Sequence, residues 1–225
     1  MLIVAVDTSG KSGGLALVSF AADRTAVLEI VPLTGGSFSA ELVPQIAGLL
    51  SRHQLAKSDI EGLAVVSGPG SFTGLRVGLA AVKALGEVLS IPIATVSILQ
   101  ALAFSAGAEG RILALTDAGR QELCAGFYEV DGDGALLLGE QLLSPEELKL
   151  LTGAHLVVTA DPKLAARLEA WGVIPRLIPY PQADVVARLG FNKLQSGEIV
   201  SPDALDATYY RPSDMEIKKP SRNVG

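Results

Sequence analysis

Leu2-Ile3-Val4-Ala5-Val6-Asp7, an unbroken β-prone apolar run halted by a carboxylate, has a counterpart in the second half of the chain, Arg111-Ile112-Leu113-Ala114-Leu115-Thr116-Asp117. Runs that are apolar on both faces predict central strands, and each Asp marks where the strand gives way to a turn; after Asp7 the turn chemistry is Thr8-Ser9-Gly10-Lys11-Ser12-Gly13. Outward from the first run, residues 14–20 and 25–33 read as two further strands joined by Ala21-Ala22-Asp23-Arg24. A helix over 39–55, a strand over 62–67, a helix over 71–89 and a short strand over 93–96 follow. Outward from the second run, residues 122–130 and 135–142 form a hairpin across Asp131-Gly132-Asp133-Gly134, an Asp-Gly turn suited to tight reversal. Then come a helix over 145–151, a strand over 155–159 and helices over 162–171 and 182–196.

Both halves thus read βββαβα. A three-stranded meander followed by αβα, duplicated, resembles the ribonuclease-H-like α/β pattern of the actin, Hsp70 and sugar-kinase (ASKHA) superfamily, a fold that hosts several functions. The boundary is expected in the helical stretch 97–108. It divides the chain into a first half, residues 1–102, with the candidate partner-binding helices, and a second half, residues 103–225, ending in a polar tail.

Of 225 residues 49% are apolar, and the mean hydropathy is +0.41, which fills a sizeable core and leaves apolar surface for a partner. Eighteen Lys and Arg against 24 Asp and Glu give a net charge of −6, which opposes unaided nucleic-acid binding; RNA would have to be met through another subunit. The N-terminal run meets Asp7 too soon for a signal peptide, and the greasy stretch 91–108 is broken by Pro92, Thr95, Ser97, Gln100 and Ser105, so neither secretion nor a membrane span is expected. Cys124 is the only cysteine, which fits a reducing cytoplasm and excludes a Cys-rich metal site. His53 and His155, the only histidines, stand on different predicted elements and support neither a His-based metal site nor a Ser-His-Asp triad.

Two glycine-bearing segments invite nucleotide readings. Gly10-Lys11-Ser12 ends like a phosphate-binding P-loop, but Ala5 stands where that motif needs Gly and a strand, not a helix, follows; a polar hairpin turn is the better reading. Gly68-Pro69-Gly70-Ser71-Phe72-Thr73-Gly74 has its third Gly one place late for a dinucleotide fingerprint. It specifies a sharp strand-to-helix turn with Ser71 as cap of the helix that follows. On a helical wheel that helix puts Phe72, Leu75, Leu79, Val82 and Leu89 on one face and Gly74, Val77, Gly78, Ala81, Ala84 and Val88 on another, leaving Arg76, Lys83 and Glu87 as a charged stripe. Two apolar faces imply packing on the sheet and on something else. The preceding helix adds Leu42, Val43, Ile46, Leu49 and Leu50, with Ala47 and Gly48 small enough for close approach, so the two helices could form half of a four-helix interface.

Ser67-Gly68-Pro69-Gly70-Ser71-Phe72-Thr73-Gly74-Leu75-Arg76-Val77-Gly78 resembles the signature of the TsaB family, also called YeaZ. The opening strand with Asp7-Thr8-Ser9, the pair Asp117-Ala118 and the stretch 209–217 resemble further family segments, so the likeness spans nearly the whole chain. Departures are Phe38-Ser39 where the family often has His-Ser, a Gly inserted in Asp117-Ala118-Gly119-Arg120, and Ala207 in place of a Pro. The resemblance implies a noncatalytic bacterial protein needed for threonylcarbamoyladenosine (t6A) at position 37 of tRNAs. Such a protein is a degenerate paralogue of the transferase TsaD, lacks TsaD's metal-binding His motif, and pairs with TsaD through its first-half helices in an assembly with the ATPase TsaE. It pairs with a second copy of itself when TsaD is absent.

On those helices the expected contact residues are Leu42, Ile46, Leu49, Phe72, Leu75, Arg76, Leu79 and Val82, with the small-residue face as the alternative; the sequence does not decide which face meets the sheet. No catalytic residue, metal or intrinsic cofactor is expected, and ATP or ADP, where present, belongs at the interface shared with partners. The main rival is an actin-like phosphotransferase or ATPase using Asp7, Thr8, Ser9, Gly10, Lys11 and Asp117 around a metal-bound nucleotide. A metallopeptidase finds no adequate ligand set. Lys218, Lys219 and Arg222 in the tail read as solvated rather than as tRNA contacts.

Overall fold

The computed structural model describes residues 1–151 and 153–210; the tail beyond, with the basic residues just named and most of the stretch 209–217, lies outside the described residues. The first half runs β1 (Leu2–Asp7), β2 (Ser12–Phe20), β3 (Thr25–Thr34), α1 (Phe38–Arg52), β4 (Gly62–Gly68), α2 (Phe72–Leu89), β5 (Ile93–Ser97) and α3 (Ile98–Phe104). The second runs β6 (Gly110–Gly119), β7 (Glu122–Val130), β8 (Ala135–Leu143), α4 (Pro145–Leu151), β9 (Leu156–Thr159), α5 (Pro162–Ala170), β10 (Arg176–Leu177) and α6 (Ala183–Ser196). Each half forms a five-stranded sheet of the same order, β3-β2-β1-β4-β5 and β10-β9-β6-β7-β8. In both, the meander is antiparallel and the remaining strands are parallel to the first. This is the duplicated, actin-like architecture, with one more strand and helix per half than the βββαβα shorthand.

The central strands behave as their composition demands. Ile3 to Asp7 are all buried, as is every residue of β4, because both faces of the first sheet carry helices. The two-residue strand β10 escapes the sequence reading because Pro175 and Pro179 bracket it and leave no alternating pattern.

The halves exchange their last helices. α6 packs on β1, β2, β4 and β5 of the first sheet, where Ala183, Val186, Ala187 and Leu189 join the first core. A side chain at Gly190 would overlap the Cβ of Ala64 in β4, so this glycine lets the helix seat on the sheet. Reciprocally, α3 packs on β6 and β7, and its Leu99, Leu102 and Ala103 belong to a core of the second half. The expected boundary at residues 102 and 103 therefore cuts through α3. A split by sequence position also misplaces α6, whose apolar face is completed by the other half's sheet.

Candidate functional site

Two regions bear on function: the cleft between the halves and the outer face of α1 and α2. The cleft encloses about 1200 Å³ and is lined from the first half by Ser9, Gly10, Lys11 and the Pro69–Ser71 turn, and from the second by Asp117, Lys163 and Tyr180. Strand ends β1 and β6 and the starts of α2 and α5 meet there, which follows directly from the duplication. Of the six residues expected to handle a nucleotide, Ser9, Gly10, Lys11 and Asp117 line the cleft, whereas Asp7 and Thr8 are 1% and 0% exposed and do not.

The chemistry of the turn after β1 is spent inside the chain. Asp7 Oδ1 accepts the Ser9 backbone N–H at 2.8 Å and the Ser9 hydroxyl at 2.6 Å, and Oδ2 accepts the Tyr180 hydroxyl at 3.1 Å. Burial pushes the Asp7 carboxyl above its ordinary pKa, against the lowering effect of these hydrogen bonds. Burial also raises the Tyr180 phenol, with the neighbouring Asp7 charge adding to the effect. Thr8 donates its hydroxyl to the Gly74 carbonyl at 2.7 Å, and the Ser71 N–H donates to the Ser9 carbonyl at 2.6 Å. A methyl group at Gly74 would overlap the Thr8 carbonyl oxygen, and one at Gly78 the Thr8 hydroxyl. These two glycines of the helical wheel thus serve close docking of α2 on the β1 turn and face the chain's own interior. Ser71 caps the helix as expected, accepting the Gly74 N–H at 3.3 Å.

The equivalent carboxylate in the second half is committed differently. Asp117 takes a two-pronged contact from Arg167 of α5, at 2.8 and 3.2 Å, and accepts the Gly119 N–H at 3.0 Å. The guanidinium holds the Asp117 carboxyl below its ordinary range. Neither Tyr180 nor Arg167 was legible as a site residue. Each lies far along the chain from the aspartate it caps, and a lone Tyr or Arg carries no motif. Cys124 also lines the cleft, its thiol pushed up to about 11 chiefly by burial, which makes it a poor nucleophile. Among the described residues no group of three or more His, Cys, Asp or Glu side chains is assembled to hold a metal ion.

The expected partner-contact residues divide sharply. Leu42, Ile46, Leu49, Leu75, Leu79 and Val82 are 0–6% exposed and belong to the first core, so they are not surface residues. The long aliphatic chains fill the layer between helix and sheet, and the glycines Gly74, Gly78 and Gly86 are buried with them where the helix backbone comes close to its neighbours. Phe72 is half-buried, its ring 5.3 Å from that of Tyr209, and Arg76 is exposed with its guanidinium 3.6 Å above the Phe72 ring. Besides the charged Arg52, Arg76 and Glu87, α1 and α2 expose Val43 at 58%, Val88 at 73%, and Ala40, Ala47, Ala80 and Ala84. Of the alternative, small-residue face only Ala84 and Val88 are exposed; Gly74 and Gly78 are buried, and Val77 and Ala81 are partly buried against the first core. Among the described residues no helix is long and apolar enough to cross a membrane.

Comparison with known proteins adds the family. The model described as "TsaD: tRNA N6-adenosine threonylcarbamoyltransferase" matches residues 30–180. The chain is similar to the tRNA threonylcarbamoyladenosine biosynthesis protein TsaB of Bacillus subtilis, at 34% identity over 57% of this chain and 56% of that one. It is similar also to TsaB of Escherichia coli, at 31% identity over 65% of this chain and 64% of that one. It therefore spans less than two thirds of either relative. A crystal structure from Pseudomonas aeruginosa, described as an uncharacterized protein with similarity to peptidase YeaZ, superimposes with a TM-score of 0.79 at 26% identity, covering 93% of this chain and 99% of that one. The chain belongs to the family that the matched model describes and, within it, to the TsaB, or YeaZ, members.

Proposed function

We propose that the chain is a noncatalytic cytoplasmic subunit of the machinery that makes t6A at position 37 of tRNA, supporting and activating TsaD in an assembly with TsaE. The names of the relatives support the pathway. The observation that carries the noncatalytic part is that the carboxylates ending β1 and β6 are already engaged, the buried Asp7 by Ser9 and Tyr180 and the cleft-lining Asp117 by Arg167. A phosphotransferase of this fold needs those oxygens free for a metal-bound phosphate. Binding a metal–nucleotide here would first have to displace the Tyr180 hydroxyl from Asp7 and break a two-pronged ion pair.

The scaffold role rests on the outer face of α1 and α2. Exposed alanines and two exposed valines, beside the charged Arg52, Arg76 and Glu87, let a partner's helices approach closely and bury apolar surface, as a four-helix contact requires. The same face serves self-association when TsaD is absent. With its net charge of −6, the chain meets tRNA only through the complex. Calorimetric titration of the isolated chain with Mg-ATP tests the noncatalytic reading. No saturable heat at millimolar nucleotide is expected, and magnesium-dependent binding that Asp117→Asn removes would favour the phosphotransferase instead.

A further inference from the structure

The duplication puts an edge strand at the same place in each sheet, β3 in the first and β8 in the second, and the two edges are finished differently. β3 contains Pro32, which has no N–H to offer another strand, and its Glu29 is clamped by Arg52 at 2.7 Å and His53 at 2.9 Å from the end of α1. Val27 and Leu28 are exposed there, but proline and ionic cover guard the edge. β8, reading Ala-Leu-Leu-Leu-Gly-Glu-Gln-Leu-Leu, has neither proline nor lysine and, among the described residues, pairs with β7 alone. Its Leu136, Leu137 and Leu138 are 69%, 54% and 52% exposed. Among the described residues no strand pairs with the outer side of β8, and such an edge bearing three exposed leucines is a template for a further strand.

A groove of about 530 Å³ runs beside this strand, with α6 as its opposite wall. Asp131, Asp133, Glu140 and Glu198 line it. Glu140 accepts the hydroxyls of both Tyr128 and Tyr210, which fix the carboxylate in place. The lysine of the groove, Lys193, already donates to the Thr95 carbonyl at 2.9 Å. Arg188, at the hairpin end, donates to the Gly132 carbonyl at 3.3 Å. The field beside the edge is therefore acidic. Two copies of this chain pairing through β8 would bring these carboxylates together, and a phosphate backbone would be repelled by the same charges.

We propose that β8 is a docking edge for an extended segment of a partner protein that alternates apolar and basic residues. The segment adds to the sheet as a sixth strand, with apolar side chains against Leu136 to Leu138 and cationic ones toward the groove carboxylates. This surface lies on the second half, away from α1 and α2, so it stands or falls separately from the scaffold reading.

The probe is a blocked synthetic peptide of alternating valine and lysine, titrated onto the full chain while amide deuterium exchange is followed. Saturable binding is expected, with new protection in residues 136–141 and none in β3. Raising the salt from about 50 to about 300 mM should weaken it about tenfold. Leu137→Lys should weaken it at least about tenfold. Asp133→Asn, at the exposed hairpin tip, should weaken it about twofold without disturbing the fold. A valine–glutamate peptide should not bind. Equal binding of that acidic peptide, binding without protection of β8, or no binding at millimolar peptide would overturn the proposal. So would a self-associated species that Leu137→Lys dissolves, which would make a second copy the occupant.

Discussion

Tyr180 Oη lies 3.1 Å from Asp7 Oδ2 and 3.0 Å from Ser9 Oγ, so one side chain of the second half closes the hydrogen-bonding of the carboxylate that ends the first strand of the first half. Asp7 is 1% exposed, and that burial holds its folded-state pKa above the ordinary 3.8. The unfolded chain ionises at the ordinary value. The folded state therefore escapes the cost of a buried charge below about pH 4 and meets it increasingly as the pH rises toward the folded pKa. Asp7→Asn keeps an acceptor for Ser9 and removes the charge, so it should stabilise the chain at neutral pH by on the order of 1 kcal/mol, a Tm rise of about 2–4 °C. The gap between variant and wild type should close toward pH 4; a variant less stable at every pH would contradict the account.

Arg167 and Asp117 form the opposite case. Their side chains are 31% and 40% exposed, and the pair lowers the Asp117 pKa. Its contribution is present above the unfolded value of 3.8 and fades as the pH falls through the lowered folded value. Solvent screening keeps it small, so Arg167→Gln should cost less than about 1 kcal/mol at neutral pH in chemical denaturation and nothing measurable at strongly acid pH.

The glycines of α2 separate packing from partner contact. Gly74→Ala drives a methyl group into the Thr8 carbonyl oxygen, a backbone atom that cannot turn away, and should destabilise the chain by about 2–4 kcal/mol. Ala84→Ser, on the exposed face of the same helix, should leave the melting temperature within about 1–2 °C of wild type.

The exchange of helices predicts that residues 1–102 do not fold alone. Without α6 the first sheet loses Val186, Ala187 and Leu189 from its cover. The face of β1, β2 and β4 that they seal would meet water, so circular dichroism of that fragment should show no cooperative melt. A sharp transition would mean that α6 is dispensable.

Most of the fold was legible in the sequence because the signals were local. Leu2 to Asp7 and Arg111 to Asp117 announce central strands by apolarity alone, the Asp-Gly hairpin sets β7 against β8, and Ser71 starts α2. What stayed hidden was long-range. The wheel of α2 shows two apolar faces but not which meets the sheet, and the bulky Leu75, Leu79 and Val82 turned inward. The caps on Asp7 and Asp117 come from residues that no spacing connects to them. The amphipathic pattern of α6 says that it needs a sheet, not that the sheet belongs to the other half.

The central claim is association with TsaD through the outer face of α1 and α2, and light scattering of this chain mixed with TsaD of the same organism tests it most directly. Val43→Glu is the informative variant, because Val43 is 58% exposed, whereas Leu79→Glu at 6% exposure would test folding instead. The account predicts a heterodimer with wild type, at least about tenfold weaker with Val43→Glu at unchanged melting temperature. A chain that stays monomeric beside TsaD, or a complex indifferent to Val43→Glu, would contradict it.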